Sequence, residues 1–291
     1  MNSKKFPSVT VIILHFMEFK LTKDCIISVL KSKYPNFDIL VIDNGSLNNS
    51  LKKLKHEFLK IKNIRFKRSK KNLYFAGGFN FGAKIANGEY IILLSNDITV
   101  DPYWIDELIK YTDQKTMIQP RIMKYFDKKV IDNVGGRYNI FGMGMGIAQM
   151  QDNDDEIRDV DFASATTLLI NRIFFLKLGG YDPWFRSHYE DVDLSLRAKK
   201  NGGRCIVSFK SIIYHKGSET YKKHAIPEST LIDVRKNRVR TIVKNFDKVE
   251  KYGRLILCLA AFFPAIIQDL LRRSEYKFLT IKSILRGLSK S

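Results

Sequence analysis

Two acidic residues close apolar runs in this chain. Asp43 follows Ile39–Ile42 and opens Asp43-Asn44-Gly45-Ser46, while Asp97 follows Tyr90–Leu94 at the end of Ser95-Asn96-Asp97. If both runs are strands of a parallel sheet, the two carboxylates emerge on the rim where such sheets bind ligands. An Asp there can hydrogen-bond a base or ribose, or coordinate a hard divalent cation that holds phosphates. It can equally cap its own turn. A third acidic group, Tyr189-Glu190-Asp191-Val192-Asp193, opens a helical pattern. First-turn acids complement the helix dipole, yet three acids in four residues exceed what one cap needs. His215 ends the run Ile212-Ile213-Tyr214. A lone histidine is commonly structural, but with Asp97 it would make an oxygen-and-nitrogen metal site.

The elements that must position these residues follow from periodicity. Val9–Phe16 is continuously apolar, as expected of a strand covered on both faces. Leu21, Cys25, Ile26, Val29 and Leu30 recur at helical spacing, as do Leu47, Leu51, Leu54 and Phe58. Ile64-Arg65-Phe66-Lys67 alternates like a strand, and Asn72–Gly78 turns into a small-residue helix ending at Gly88. Alternating strands and helices with short connections predict an α/β fold with a mostly parallel sheet and right-handed crossovers. Asp101-Pro102 reads as an N-cap and first helical residue, ahead of Ile105, Leu108 and Ile109. From about 120 to 160 the rhythm fails. Gly142-Met143-Gly144-Met145-Gly146 reads as a mobile loop or hairpin turn, since no strand precedes it and no helix follows, as a phosphate cradle requires. Regularity returns with Phe162–Ile170, a helix from Arg172 to Leu178, the Gly179-Gly180 break, a helix from about Glu190 to Lys200, and a strand over Cys205–Phe209.

Composition narrows the partners. The 291 residues include 50 Lys and Arg against 30 Asp and Glu, a net charge of +20, with 45% hydrophobic side chains. That excludes global disorder and suggests an anionic partner: nucleic acid, a phosphorylated substrate or an acidic membrane. Cys25, Cys205 and Cys258 are far apart, which argues against a disulfide framework or structural zinc and for a reducing compartment. Lys4 and Lys5 before an apolar run resemble a signal peptide, but no small-residue cleavage site follows and His15, Glu18 and Lys20 close the run. Leu255–Leu271 is a second apolar run, broken by Pro264, Gln268 and Asp269. Its uncharged part is short of the roughly 18–20 residues of a spanning helix. Lys251 and Arg254 precede it, and Arg272, Arg273 and Lys277 follow. This predicts a helix lying in the membrane interface, the alternative being one docked on the domain or in a dimer contact. Residues 231–291 carry +9 of the charge. The expected organisation is an α/β domain over 1–230, followed by a basic, amphipathic helical segment over 231–291.

Taken in order, the motifs resemble inverting glycosyltransferases of family 2 with the GT-A fold, in the rhamnosyltransferase-like branch of surface polysaccharide assembly. The resemblance rests on Val41-Ile42-Asp43-Asn44-Gly45-Ser46, Asn72 through Gly77-Gly78 to Asn80, Gly88-Glu89-Tyr90, Leu93-Leu94-Ser95-Asn96-Asp97, Gly179-Gly180-Tyr181-Asp182, Tyr189 through Leu194, Arg197, Tyr214 through Ser218, and Arg235-Lys236-Asn237-Arg238. It spans roughly residues 7 to 245, and it implies that 1–230 is a GT-A glycosyltransferase domain with a nucleotide-binding half over about 1–100 and an acceptor half over about 101–230. It implies that Asp43, Asn72 and Asp97 contact the nucleotide-sugar, that Asp97 and His215 hold Mn²⁺ or Mg²⁺, and that Asp191 is the catalytic base. It further implies acceptor contacts at Trp184 and Glu190, a dTDP- or UDP-linked donor, and a glycan or lipid-linked oligosaccharide acceptor. The implied location is cytoplasmic, peripheral on the inner face of the cell membrane and held to its anionic surface. Two positions depart from the family pattern: Ser95 stands where many relatives have a second carboxylate, and the first strand ends Leu14-His15-Phe16 where Tyr-x-Asn is commoner.

Such chemistry suits these residue types. A diphosphate leaving group needs positive charge, and an acceptor hydroxyl needs a carboxylate to take its proton. Two other readings differ in what they require. A nucleic-acid-binding protein would cluster basic and aromatic residues on a recognisable module, whereas basic Lys52–Lys71 spans a helix and a strand, so no nucleic-acid partner is expected. A nucleotidyltransferase would want a glycine-rich phosphate loop after the first strand, where this chain has Leu14-His15-Phe16-Met17-Glu18.

Overall fold

A computed structural model describes residues 6–150, 156–217, 228–271 and 278–289. The first half alternates as the periodicity predicts: β1 (Val9–His15), α1 (Phe19–Val29), β2 (Phe37–Asp43), α2 (Ser50–Glu57), β3 (Ile64–Arg68), α3 (Tyr74–Ile85) and β4 (Tyr90–Ser95). Strands β3, β2, β1 and β4 lie side by side, all parallel. Each strand serves two cores, which explains the continuous apolar runs. Val11, Ile13, Ile39, Val41, Ile92 and Leu94 face one core, while Ile12, Leu40, Ile42, Ile91 and Leu93 face the other.

The second half continues with β5 (Ile98–Val100), α4 (Trp104–Ile109), β6 (Thr116–Lys124), β7 (Ile131–Asn133), β8 (Gly136–Tyr138), β9 (Gly144–Gly146), β10 (Ile157–Val160), β11 (Thr167–Asn171), α5 (Arg172–Lys177), α6 (Glu190–Lys200) and β12 (Arg204–His215). The sheet order is β10-β12-β6-β11-β4-β1-β2-β3, with β5 on β12 and β7 on β6. β11 inserts antiparallel between β4 and β6, and β6 pairs parallel with β12.

Three expectations are corrected here. The stretch from 120 to 160 is not irregular throughout. It completes the buried strand β6, whose Pro120 masks it in sequence, and it contains the β8–β9 hairpin around Gly142. Proline lacks the ladder N–H, and the β6–β12 register slips next to it, between Ser208 and Ile212. Beyond that bulge β12 continues to His215, so the Cys205–Phe209 and Ile212–Tyr214 runs are one strand. Finally, Asp101 does not cap α4: its Oδ1 accepts from the Tyr103 N–H at 3.0 Å in a turn before the helix starts.

The C-terminal segment forms α7 (Glu228–Asn245), α8 (Lys248–Leu271) and α9 (Leu279–Leu288). Val239, Ile242, Cys258, Phe262 and Ile284 build a third small core among them. α9 approaches α7 so closely that a Cβ at Gly287 would lie 2.6 Å from the Lys236 carbonyl oxygen. α7 is fixed to α6 by polar contacts: Asn245 Nδ2 donates to Asp193 Oδ1 at 2.8 Å, and Lys244 Nζ lies 3.0 Å from the same carboxylate.

Candidate active site

The parallel strands end on one rim, as the sheet register requires: Leu14 pairs with Ser95 and His15 with Asp43. Just past β4, the Asp97 turn feeds β5, which pairs antiparallel with the end of β12. The Lys216 N–H also donates to the Asp97 carbonyl at 3.0 Å. That pairing brings two residues 118 positions apart into contact, with His215 Nε2 3.2 Å from Asp97 Oδ2. The other ring nitrogen, Nδ1, lies 2.7 Å from Asp132 Oδ2 on the edge strand β7. Burial alone would lower the His215 pKa. Its hydrogen bonds to Asp132 and Asp97, with their charges, outweigh that and push it up to about 9.

Asp191 reaches the same cavity from the first turn of α6. Its Oδ2 accepts from the Ala165 N–H at 3.1 Å, in the segment leading into β11, and the Ser95 N–H donates to the neighbouring Thr166 carbonyl. Asp97, His215, Glu190 and Asp191 therefore line one cavity of about 550 Å³, with Ser95 and His188.

The three clustered acids divide into different states. Asp193 is fully buried and ion-paired to Arg197 and Lys244, so it ties α6 to α7. Glu190 is buried, and desolvation, reinforced by the Asp191 charge, raises its pKa well above the ordinary carboxylate value. Burial also raises the Asp191 pKa, while the N–H groups of Ala165 and Val192 pull it back down. Of the three, Asp191 combines access to the cavity with the basicity a proton acceptor needs.

The remaining predicted residues lie elsewhere. Asp43 is fully buried rather than exposed on the rim. Its Oδ1 accepts from the Ser46 N–H at 3.0 Å, and its Oδ2 is 3.3 Å from Arg68 Nε. Asn72 adjoins it across the loops, its Oδ1 accepting from Asn44 Nδ2 and from the Tyr74 N–H. Neither lines the cavity that holds Asp97 and Asp191. Trp184 borders a second cavity, with Lys236 and Arg240 over its indole at 4.6 and 5.1 Å. His15 is buried between Thr22 Oγ1 and Ser50 Oγ, which removes it from the rim surface.

Asp132 was absent from the sequence reading. A carboxylate on Nδ1 fixes the imidazole orientation and aims Nε2 at whatever Asp97 also faces, as outer partners of metal-bound histidines do. Asp97 Oδ2 and His215 Nε2 at 3.2 Å match adjacent corners of one coordination sphere, about 3 Å apart for bonds near 2.1 Å. No cluster of three or more His, Cys, Asp or Glu in metal-holding geometry occurs among the described residues. The pair thus fits a cation that takes its other ligands from water and a phosphate-bearing ligand.

The architecture is that of the GT-A glycosyltransferases. GalNAc-T7, crystallised with UDP, GalNAc and Mn²⁺, aligns over 97% of this chain and 55% of its own, with TM-score 0.69 and 18% identity. The sequence profile of Glycosyl transferase family 2 matches residues 10–175, more than half of the chain, and the chain belongs to that family. It is similar to the O-antigen biosynthesis protein RfbC of Myxococcus xanthus, at 24% identity over 77% of this chain, but spans only 18% of that protein. It is also similar to the low-salt glycan biosynthesis hexosyltransferase Agl10 of Haloferax volcanii, at 23% identity over 58% of this chain and 57% of that one.

Proposed function

We propose that this chain transfers a sugar from a nucleoside-diphosphate donor to a hydroxyl of a glycan acceptor, with inversion, in polysaccharide or cell-envelope assembly. The observation that carries the reading is the convergence of Asp97, His215 and Asp191, delivered by three different elements, on one cavity. Asp97 and His215 would hold Mn²⁺ or Mg²⁺ at the donor diphosphate; such an ion, when bound, neutralises the charge that develops on the leaving group. Asp191 accepts the acceptor proton as the new C–O bond forms. With one base and attack opposite the departing diphosphate, the anomeric configuration inverts. The names of RfbC and Agl10 associate similar proteins with glycan assembly, and GalNAc-T7 binds UDP and Mn²⁺. Asn72 remains a proposed nucleotide contact, as does Asp43 once the exposed Arg68 side chain beside it moves, and Trp184 and Glu190 remain the proposed acceptor contacts. Titrating dTDP-, UDP- and GDP-sugars with Mn²⁺ tests the reading. Saturable, metal-dependent binding of one donor supports it, and binding of none overturns it.

Membrane attachment through the C-terminal helices completes the proposal. By length and composition α8, with 24 residues, is long and apolar enough to cross a bilayer, although the uncharged part of Leu255–Leu271 alone is short of a span. Its contacts favour lying flat. Arg254 donates to the Asn139 carbonyl, Cys258 and Phe262 enter the third core, and Asp269 is buried against Thr280, so one face is held along much of the helix. The opposite face exposes Ile256, Phe263 and Ile267, and α9 adds Leu285 and Leu288. An apolar face with basic residues around it suits the interface of an anionic bilayer, and hence a lipid-linked acceptor on the cytoplasmic side. Burying an Ile or Phe side chain is worth about 1.5–3 kcal/mol. The double variant Ile256→Glu/Phe263→Glu should therefore partition onto phosphatidylglycerol vesicles at least ~10-fold more weakly, with nucleotide binding unchanged. Equal sedimentation with vesicles would remove the attachment.

A further inference from the structure

The turn that delivers Asp191 is strained. Arg186, His188 and Tyr189 have φ of 59°, 66° and 70°, left-handed conformations at residues other than glycine. Such conformations persist where the surroundings over-determine them, and they cluster at functional sites. The turn also enters α6 without a side-chain cap at Tyr189. Something outside the turn must hold it.

Asn237, in the middle of α7 and fully buried, is placed to do so. Its side-chain Nδ2 donates to the carbonyls of Phe185 at 3.0 Å, Ser187 at 3.0 Å and His188 at 2.7 Å. An amide NH₂ has two hydrogens, so at least one is shared among the three oxygens. Its Oδ1 is buried with no hydrogen-bond partner among the described residues, so the residue is arranged around its donors at the expense of its acceptor. Among the described residues, the other contacts on the turn come one at a time: the Ala76 N–H reaches the Arg186 carbonyl at 3.2 Å, the Arg186 guanidinium lies 4.9 Å from the Tyr74 ring, Lys244 lies 5.6 Å from the Phe185 ring, and the Gly144 N–H reaches the Tyr189 hydroxyl at 3.3 Å. The helix bearing Asn237 is itself anchored to α6 through Asn245 and Lys244 on Asp193. One helix thus grips both the strained turn and the body of the helix that carries Asp191.

We infer that Asn237 is a positioning residue: it clamps the 185–189 turn so that the Asp191 carboxylate meets the Ala165 N–H and faces the reacting groups. The inference rests on the reading of Asp191 as the base. Its physical basis is the steep dependence of catalysis on placement, where about 1 Å of displacement costs on the order of 10²-fold. Asn237 touches neither donor nor acceptor in this assignment, so its loss acts on turnover rather than on donor affinity.

The test compares Asn237→Ala with Val239→Ala in the full chain. Val239 is equally buried on the same helix but packs in the third core, so its truncation reports stability loss alone. Asn237→Ala is expected to lower kcat about 30- to 100-fold with donor KM within about threefold. Amide hydrogen exchange over residues 186–190 should accelerate about tenfold or more, because the strained turn opens locally. Asn237→Asp, equal in shape but without the N–H donors, should behave like Ala. Should Asn237→Ala fail to fold, Asn237→Ser, which keeps one donor, reads the same effects at smaller amplitude. Equal kcat losses in the Asn237 and Val239 variants, or unchanged exchange over 186–190, would overturn the clamp. The exchange readout is independent of chemistry: if Asp191 proves not to be the base, accelerated exchange still identifies the clamp, and the two ideas fail separately.

Discussion

Replacing Asp191 with Asn is expected to cut sugar transfer by roughly 10²–10⁴, the usual range for losing a general base. The substitution preserves shape, and the new amide oxygen can still accept from the Ala165 N–H. Donor binding should survive, because Asp97 and His215, which line the same cavity, are untouched. The neighbours separate chemistry from architecture. Glu190 is buried, with its pKa raised by desolvation, so Glu190→Gln, an amide of the same shape, should cost far less turnover. Asp193→Asn unpairs Arg197 and Lys244 beneath α6. Breaking such a buried pair costs up to about 3–5 kcal/mol of stability, while turnover per folded molecule changes little. Single-turnover assays across the three variants decide the matter, and near-normal transfer by Asp191→Asn would end the assignment.

The same residue sets the sign of the pH dependence. A base works when deprotonated, and burial raises the Asp191 pKa above its ordinary value. The rate should therefore rise with pH along a limb displaced above the ordinary carboxylate range, and Asp191→Asn should erase that limb. Glu190→Gln should leave the limb in place, since Asp191 keeps its carboxylate and its bond from the Ala165 N–H. A kcat/KM profile with its acid limb at an unshifted carboxylate value would contradict the environment described for Asp191.

Much of the site was legible because its residues end regular elements. Asp97 closes an apolar run, and the first turn of α6 begins at Glu190 as its acids suggest. The contact of Asp97 with His215 was foreseen as a possible pair, but its cause, the short β5 strand pairing with a β12 that runs on past a bulge, has no periodic signature. Asp132 was invisible for a related reason. It sits in a three-residue edge strand inside a polar, glycine-rich stretch, and only the pairing of β7 with β6 carries it to His215. Asn237 was hidden by its neighbours: an amide among Arg235, Lys236 and Arg238 looks like a solvated helix face, yet it points inward. Asp43 was legible as a strand-end acid but not as a buried one, because neither the Ser46 N–H nor the Arg68 side chain over it follows from local sequence. Local patterns reveal what an element is and where it ends. They do not reveal which distant side chain closes over it.

Removing the carboxylate of Asp97 is expected to abolish metal-dependent nucleotide binding, whereas His215→Ala should weaken it less. The two residues face the same point, 3.2 Å apart, but they bring different things to it. Asp97 supplies negative charge, which a hard divalent cation needs most, and Ser95 offers no second carboxylate to replace it. His215 supplies a nitrogen whose place a water molecule can take. Its strength depends on Asp132, which holds Nδ1 at 2.7 Å and so directs Nε2 toward the cavity. Asp132→Asn should consequently lower metal affinity by about 10- to 100-fold, the range typical for the outer partner of a metal-bound histidine, while leaving Asp97 in position. The expected order of damage is Asp97→Ala first, with His215→Ala and Asp132→Asn behind it. Calorimetry of UDP and dTDP binding, with and without Mn²⁺, measures that order directly. Wild-type affinity in metal for all three variants would move the cation, and the donor diphosphate with it, away from this corner of the cavity.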